Sequence, residues 1–528
     1  MVSNEASVKP TSRAVTGDAA GRVADPDAAR LPPLAVRPPA RAGGRGAHSR
    51  AARRTTDGQP PTFSARRPRP ARPTPTRIRA VALAVAVIVI AMVVLFVLEV
   101  RRERTGLDVI GHQTAPVVVA SNDLYFAFND MDAQLANTLL VGSDTHLGFT
   151  RAQALAIYEQ RRHQASQNLQ QAAAAADADP AAAASIRKIV DAQGRYEALA
   201  AQTMLLDQQA NHPAGQPPAA ALAKYRQATQ LLKSTLLPAA QGLTDRNALI
   251  LERTYESKRS RTFTVRIWIA AIGIAMLAAL ILLQTYLARR FHRLLNPALA
   301  TATLIAAAMV ISGVVLTTDQ AEYLRTVKKD AFDSILALDQ ARAVSYDANA
   351  DESRYLVDPD LADQYEQAFF AKTQQLLTLK GATLSTFDQR FAAALRTYPK
   401  SPDDPEWHGY YGVEFRNITF VGERAAAEKT LQKYQIYQAD DRRIRRLTTT
   451  GQLRAAIAFC TSYDPGQSNY AFDQYDKALA ALIGINQRAF DQSVADGAHE
   501  LDGWTVMAGL LVLGLLLLGL RGRLAEYH

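Results

Sequence analysis

The chain has 528 residues, a formal net charge of +10 and a single cysteine, Cys460. Nearly all of the excess charge lies in residues 1–77, with 15 Arg and Lys against five Asp and Glu; the remainder carries 45 of each sign, which removes the basic footprint of a nucleic-acid binder. One cysteine excludes an internal disulfide, and nine scattered histidines leave no ligand set for a structural zinc.

Residues 1–77 are rich in Arg and Pro and poor in large apolar side chains. Such a segment buries too little surface to offset its ordering entropy, so it is predicted to be a disordered cytoplasmic tail. Four uncharged apolar runs follow, at 80–98, 267–287, 298–316 and 504–520, inside predicted spans at 78–98, 265–287, 298–316 and 503–520. A bilayer core of ~30 Å needs ~20 apolar residues in a helix, so all four runs are long enough. The second and third are joined only by residues 288–297, which hold Arg289, Arg290 and Arg293 and no acidic residue. Basic residues in short loops favour the cytoplasmic side. The expected protein lies in the cell membrane with both termini and this turn cytoplasmic. Segments 99–264 and 317–502 are then extracytoplasmic, and 521–528 is a cytoplasmic stub.

Within the first long segment, Val117, Leu124, Phe128, Met131, Leu135 and Leu139 fall at helical spacing and predict an amphipathic helix over 117–140. Further helices are predicted over 149–176, 180–211 and from 219 into the second span, with Pro238 kinking the last. The carboxylates Asp123, Asp130 and Asp132 are expected on a solvated helix face. The second segment repeats this plan at 318–357, 361–398, 421–462 and 469–501. Tyr158-Glu159-Gln160 is echoed by Tyr365-Glu366-Gln367. The expected fold is an all-α membrane protein with two duplicated up-down-up-down bundles.

No nucleotide-binding, metalloprotease, serine-hydrolase or paired CxxC motif is present, so no catalytic, cofactor or metal residues are assigned. The least helical stretch, 405–415, packs Trp407, His408, Tyr410 and Tyr411 together. Rigid aromatics at this density anchor contacts. They pack under their own bundle, lie at the lipid interface, or form a partner contact. Ala271, Ala275 and Ala279, and Ala298, Ala302 and Ala306, form small-residue faces suited to close packing of the span hairpin. Arg289, Arg290 and Arg293 are the expected cytosolic output.

Each half resembles the helical-bundle sensor domains of bacterial chemoreceptors and sensor kinases. The duplicated four-pass layout is similar to actinobacterial membrane transducers that link an amino-acid-binding lipoprotein to a cytosolic Ser/Thr kinase. That resemblance implies a non-enzymatic relay whose partners are the bilayer, such a lipoprotein and such a kinase, with a second copy of the chain as a further candidate. The alternative is a structural cell-envelope scaffold without switching, and after it a channel or transporter subunit.

Overall fold

The computed structural model describes residues 74–175, 179–291, 297–401, 403 and 405–524. Among them it is helical apart from turns and one isolated antiparallel bridge between Thr378 and His408. Most of the predicted tail and the last four residues lie outside the described residues.

The first half runs α1 (Thr74–Asp108), a π-helical turn (Val109–Thr114), α2 (Ala115–Val141), α3 (Arg151–Ala175) and α4 (Pro180–Ala210). It continues through α5 (Ala219–Leu231), a second π turn (Leu232–Leu236) and the 55-residue α6 (Leu237–Phe291). Asp179 caps α4, its carboxylate accepting from the Ala181 N–H at 3.0 Å while Pro180 takes the first helical position. Two prolines explain two of the π turns. Pro116 and Pro238 lack an N–H, and their rings press on the carbonyls four residues back, at His112 and Ser234. The chain absorbs the mismatch by widening at 109–114 and 232–236. The kink expected at Pro238 takes this form.

The second half runs α7 (Pro297–Arg325), a third π turn (Thr326–Phe332), α8 (Asp333–Val357) and α9 (Ala362–Leu376). It ends with α10 (Phe387–Thr397), α11 (Tyr410–Asn417), α12 (Glu423–Thr449), α13 (Leu453–Thr461) and the 57-residue α14 (Ser468–Leu524). The helix expected over 361–398 is broken, because the chain leaves α9 and turns at Gly381, whose φ of 68° suits only glycine. The helix expected over 421–462 likewise divides into α12 and α13. The third π turn has no proline; instead the Asn417 amide donates to the Lys329 and Asp330 carbonyls at 2.8 and 3.1 Å.

Two of the four expected spans meet the requirement of length and apolarity among the described residues, within the continuous helical stretches Ala219–Arg289 and Leu299–Val357. The first and fourth predicted runs lie in α1 and α14, where many side chains are outside the described set. Around the hairpin of α6 and α7, Met92, Ile269, Met276, Leu280 and Ala306 form one buried cluster. The expected contact face needs correction: Ala271 and Ala275 point outward, and close approach occurs at Gly273, where an added Cβ would sit 2.4 Å from Val310.

The larger departure concerns the two segments expected to form two bundles. A single hydrophobic core runs through both, from Leu124 and Tyr196 in the first to Leu338, Trp407 and Tyr475 in the second. Helices α2 and α8 lie side by side at its centre. Along 124–141 and 341–357, nearly every residue of both helices is buried, polar ones included. At the far end, α13 lies over the first half, with Ile457 and Leu453 beside Gly215 and Arg454 paired with Asp144. Toward the spans, Ile110, Val118, Leu251, Tyr255, Val327, Phe332 and Phe490 form a second cluster, flanked by Glu252 bridging Lys328 and Lys329 at 2.7 and 2.9 Å.

Candidate functional site

Burying both central helices takes their carboxylates out of water, so each needs a compensating partner. Asp132 of α2 is fully buried and collects donors from three other helices. Tyr196 of α4 and Tyr225 of α5 donate to it at 3.3 and 3.2 Å, and the Thr229 hydroxyl at 2.9 Å. The Arg354 guanidinium of α8 completes the set, with Nε at 3.0 Å and Nη2 at 2.9 Å. Arg354 is itself fully buried and turns its remaining nitrogen, Nη1, to Asp347 at 3.0 Å and Asp351 at 2.6 Å.

Two lysines balance the remaining charge. Lys372 of α9 bridges Asp351 and Asp347, the latter at 2.8 Å. Lys233, in the π turn between α5 and α6, reaches Asp351 at 3.2 Å and lies over the Tyr365 ring at 4.9 Å. Three carboxylates thus meet three cations across the junction of the halves. Burial would raise Asp351, but Lys372, Arg354 and Lys233 outweigh it and hold the carboxyl below the usual range. Burial and the nearby Arg354 pull Lys233 down to about 8. Farther out, Arg226 forks onto Asp358 with Nε at 2.7 Å and reaches Asp360 at 2.8 Å. The arrangement has no nucleophile–base pair; it holds two helical halves in one register through charge-assisted bonds.

The carboxylates expected on a solvated face are placed otherwise: Asp130 and Asp132 are buried, Asp130 receiving Arg161 Nε at 2.6 Å. A helix wetted on one side would leave them to water; α2 has no such side. One signal for the network was in the sequence. Asp347, Asp351 and Arg354 share one face of α8, and two carboxylates four apart repel unless cations are supplied.

The aromatic stretch also needs correction as a partner contact. Trp407 is fully buried, its ring centroid 5.3 Å from those of Tyr398 and Phe415. Tyr411 is equally buried and hydrogen-bonds the Tyr475 hydroxyl, which also meets Ser345 at 2.7 Å. His408 is exposed and pairs backbone to backbone with Thr378, while Tyr410 is half-buried. Gly409 makes the tight approach possible: its φ is 82°, and a Cβ would lie 2.5 Å from the Gln375 carbonyl. This segment therefore fills the second half from within. Of the expected output residues, Arg289 is exposed near the end of α6; Arg293 and the Arg290 side chain lie outside the described residues.

Lower on α8, Asp339 is buried and its Oδ2 has no hydrogen-bond partner among the described residues. Burial, and secondly the neighbouring Asp123, push its carboxyl up to about 8 from 3.8. A group whose folded pKa is raised contributes stability below its unfolded pKa and loses it as pH rises through the folded value. Asp339→Asn should therefore flatten the fall in stability between about pH 4 and 8, by up to about 1.4 kcal/mol per pH unit. Glu414, also raised to about 8 by burial and by Glu423, leaves a residual slope. Chemical unfolding of wild type and variant across that range measures the difference, and identical slopes would mean that Asp339 is ionised.

Residues 106–256, less than a third of the chain, match the family model of an actinobacterial sensor domain. The match runs from the end of α1 to the part of α6 just before the apolar run, and includes Asp132, Tyr196, Tyr225 and Lys233. The first half is thus similar to sensor domains, and signal sensing is the function this likeness supports. No curated protein and no solved structure matches the chain.

Proposed function

We propose that the protein is a non-enzymatic transmembrane relay that receives a solute or a solute-binding protein on its extracytoplasmic helices and passes the signal to a cytosolic partner. One observation carries this reading: α6 runs without a break from the sensor-like core at Leu243 to Arg289 at the hairpin turn. A displacement at its upper end is transmitted along a hydrogen-bonded rod instead of being lost in a loop. The outward faces of the hairpin support its place in a bilayer, since Ile274, Leu282, Leu304 and Ile311 are apolar and more than half exposed. Four spans, cytoplasmic termini and a duplicated unit complete the proposed topology. The recurrence of a π turn about ten residues beyond both the first and third apolar runs supports the duplication. The amino-acid-binding lipoprotein and the cytosolic Ser/Thr kinase are the proposed partners.

The buried ion network favours a second reading, a rigid envelope scaffold, because charges that cross-link several helices stiffen a core. A spin label at Arg289→Cys in the full chain, embedded in lipid nanodiscs, separates the two. With aspartate- or glutamate-loaded lipoprotein added, a relay changes the label's mobility or its distance to a second label at Ala300→Cys. A scaffold leaves both unchanged.

A further inference from the structure

Between the two halves, just above the spans, the structure contains a cleft of about 400 Å³. Its wall combines the first π turn, α2 and the end of α3 with Phe332 of the third π turn and Phe490 and Asp491 of α14. The volume is that of a small-molecule site. Its basic neighbours are engaged elsewhere: His112 on the wall faces Asp108 at 3.3 Å. Arg342 is held by Asp476 at 2.7 and 2.9 Å, and Arg161 by Asp130 at 2.6 Å, so both nearby guanidiniums are already matched. Lys328 is committed to Glu252 and Asp333. That leaves Asp123, which lines the cleft and has no hydrogen bond or ion pair among the described residues, and Asp491, whose one partner is the neutral Gln487 amide at 2.9 Å. Burial raises the Asp123 pKa, with the charges of Arg342 and Arg161 opposing. Phe332 and Phe490, with ring centroids 6.0 Å apart, make part of the same wall apolar.

We propose that this cleft binds a small organic ammonium ion, with its charge held by Asp123 and Asp491 and its carbon body packed on Phe332 and Phe490. The two carboxylates attract the cation, and Gln171 and Gln487 offer amide oxygens to its N–H groups. A bare metal ion fits less well, because no group of three His, Cys, Asp or Glu converges among the described residues. Since the cleft joins the two π turns that lead toward α1 and α7, an occupant would bias both; as the input of a relay this rests on the reading above, while the binding site stands on the geometry.

Titration calorimetry on the full chain in nanodiscs, with n-butylammonium and phenethylammonium as probes and butyrate and sodium chloride as controls, tests it. Both ammonium ions should bind saturably and butyrate should not. Asp123→Asn and Asp491→Asn should each weaken binding about tenfold or more without lowering the unfolding midpoint, because neither carboxylate ties another helix by a hydrogen bond or ion pair among the described residues. Equal binding of butyrate, no saturation by either ammonium ion below about 10 mM, or full affinity in Asp123→Asn would overturn the proposal. Binding that leaves the label at position 289 unmoved would remove the cleft as the input of the relay and keep the site.

Discussion

Replacing Arg354 by methionine is expected to destabilise the protein by about 3–5 kcal/mol, since removing one partner of a buried pair leaves its counter-charges unmatched. The methionine would keep most of the buried volume. It would remove the only cation that touches Asp132 among the described residues and one of the three shared by Asp347 and Asp351. Three carboxylates would then face two lysines in the centre of the core, and Asp132 would keep only the hydroxyls of Tyr196, Tyr225 and Thr229. Adding Asp132→Asn to Arg354→Met should restore part of the loss, because the second change removes the carboxylate stranded by the first. Residues in one network couple by about 0.5–3 kcal/mol in such cycles. Urea unfolding of the purified chain and its three variants in detergent measures all four corners. A loss below about 1 kcal/mol for Arg354→Met would mean that water already enters the junction.

Trp407→Ala should cost a similar amount, about 3–5 kcal/mol, as large-to-small changes at a filled core site do. Trp407 packs on Tyr398 and Phe415, and the chain around it is tied down by the Arg416 guanidinium, which donates to the Pro405 and Trp407 carbonyls at 2.8 and 3.1 Å. His408→Ala is the internal control. That side chain is exposed and its backbone bridge survives substitution, so the change should stay within about 0.5 kcal/mol. The pair distinguishes an internal plug from a docking surface. If Trp407→Ala left stability intact while abolishing capture of a partner, the aromatic segment would be a contact after all.

Much of the helical plan was readable from the sequence because it depends on local chemistry. Apolar spacing located α2, and the breaks expected after 176 and after 211 separate α3, α4 and α5. Pro238 announced a disturbance, though not that widening into a π turn would absorb it. The turn at Thr326–Phe332 had no such sign, since its freed carbonyls are met by Asn417, 88 and 87 positions away in the chain. The burial of Cys460, at 2% exposure, was also legible, as free cysteine is usually an interior residue.

The chemistry of the junction was not legible, and α2 shows why. Its Asp130, Asp132, Gln134 and Asn137 look from the sequence like the wet side of an amphipathic helix, because periodicity separates apolar from polar residues without saying what covers the polar ones. The sequence by itself determined helix content, the helix boundaries of the first half to within a few residues, and the apolar runs, since each follows from neighbours within two turns. Only the tertiary structure decided that α2 and α8 pack against each other, that Asp132 meets an arginine 222 positions away, and that Trp407 points inward. Those outcomes depend on which polar faces can neutralise one another when two halves meet, a condition of charge and shape that no local pattern encodes.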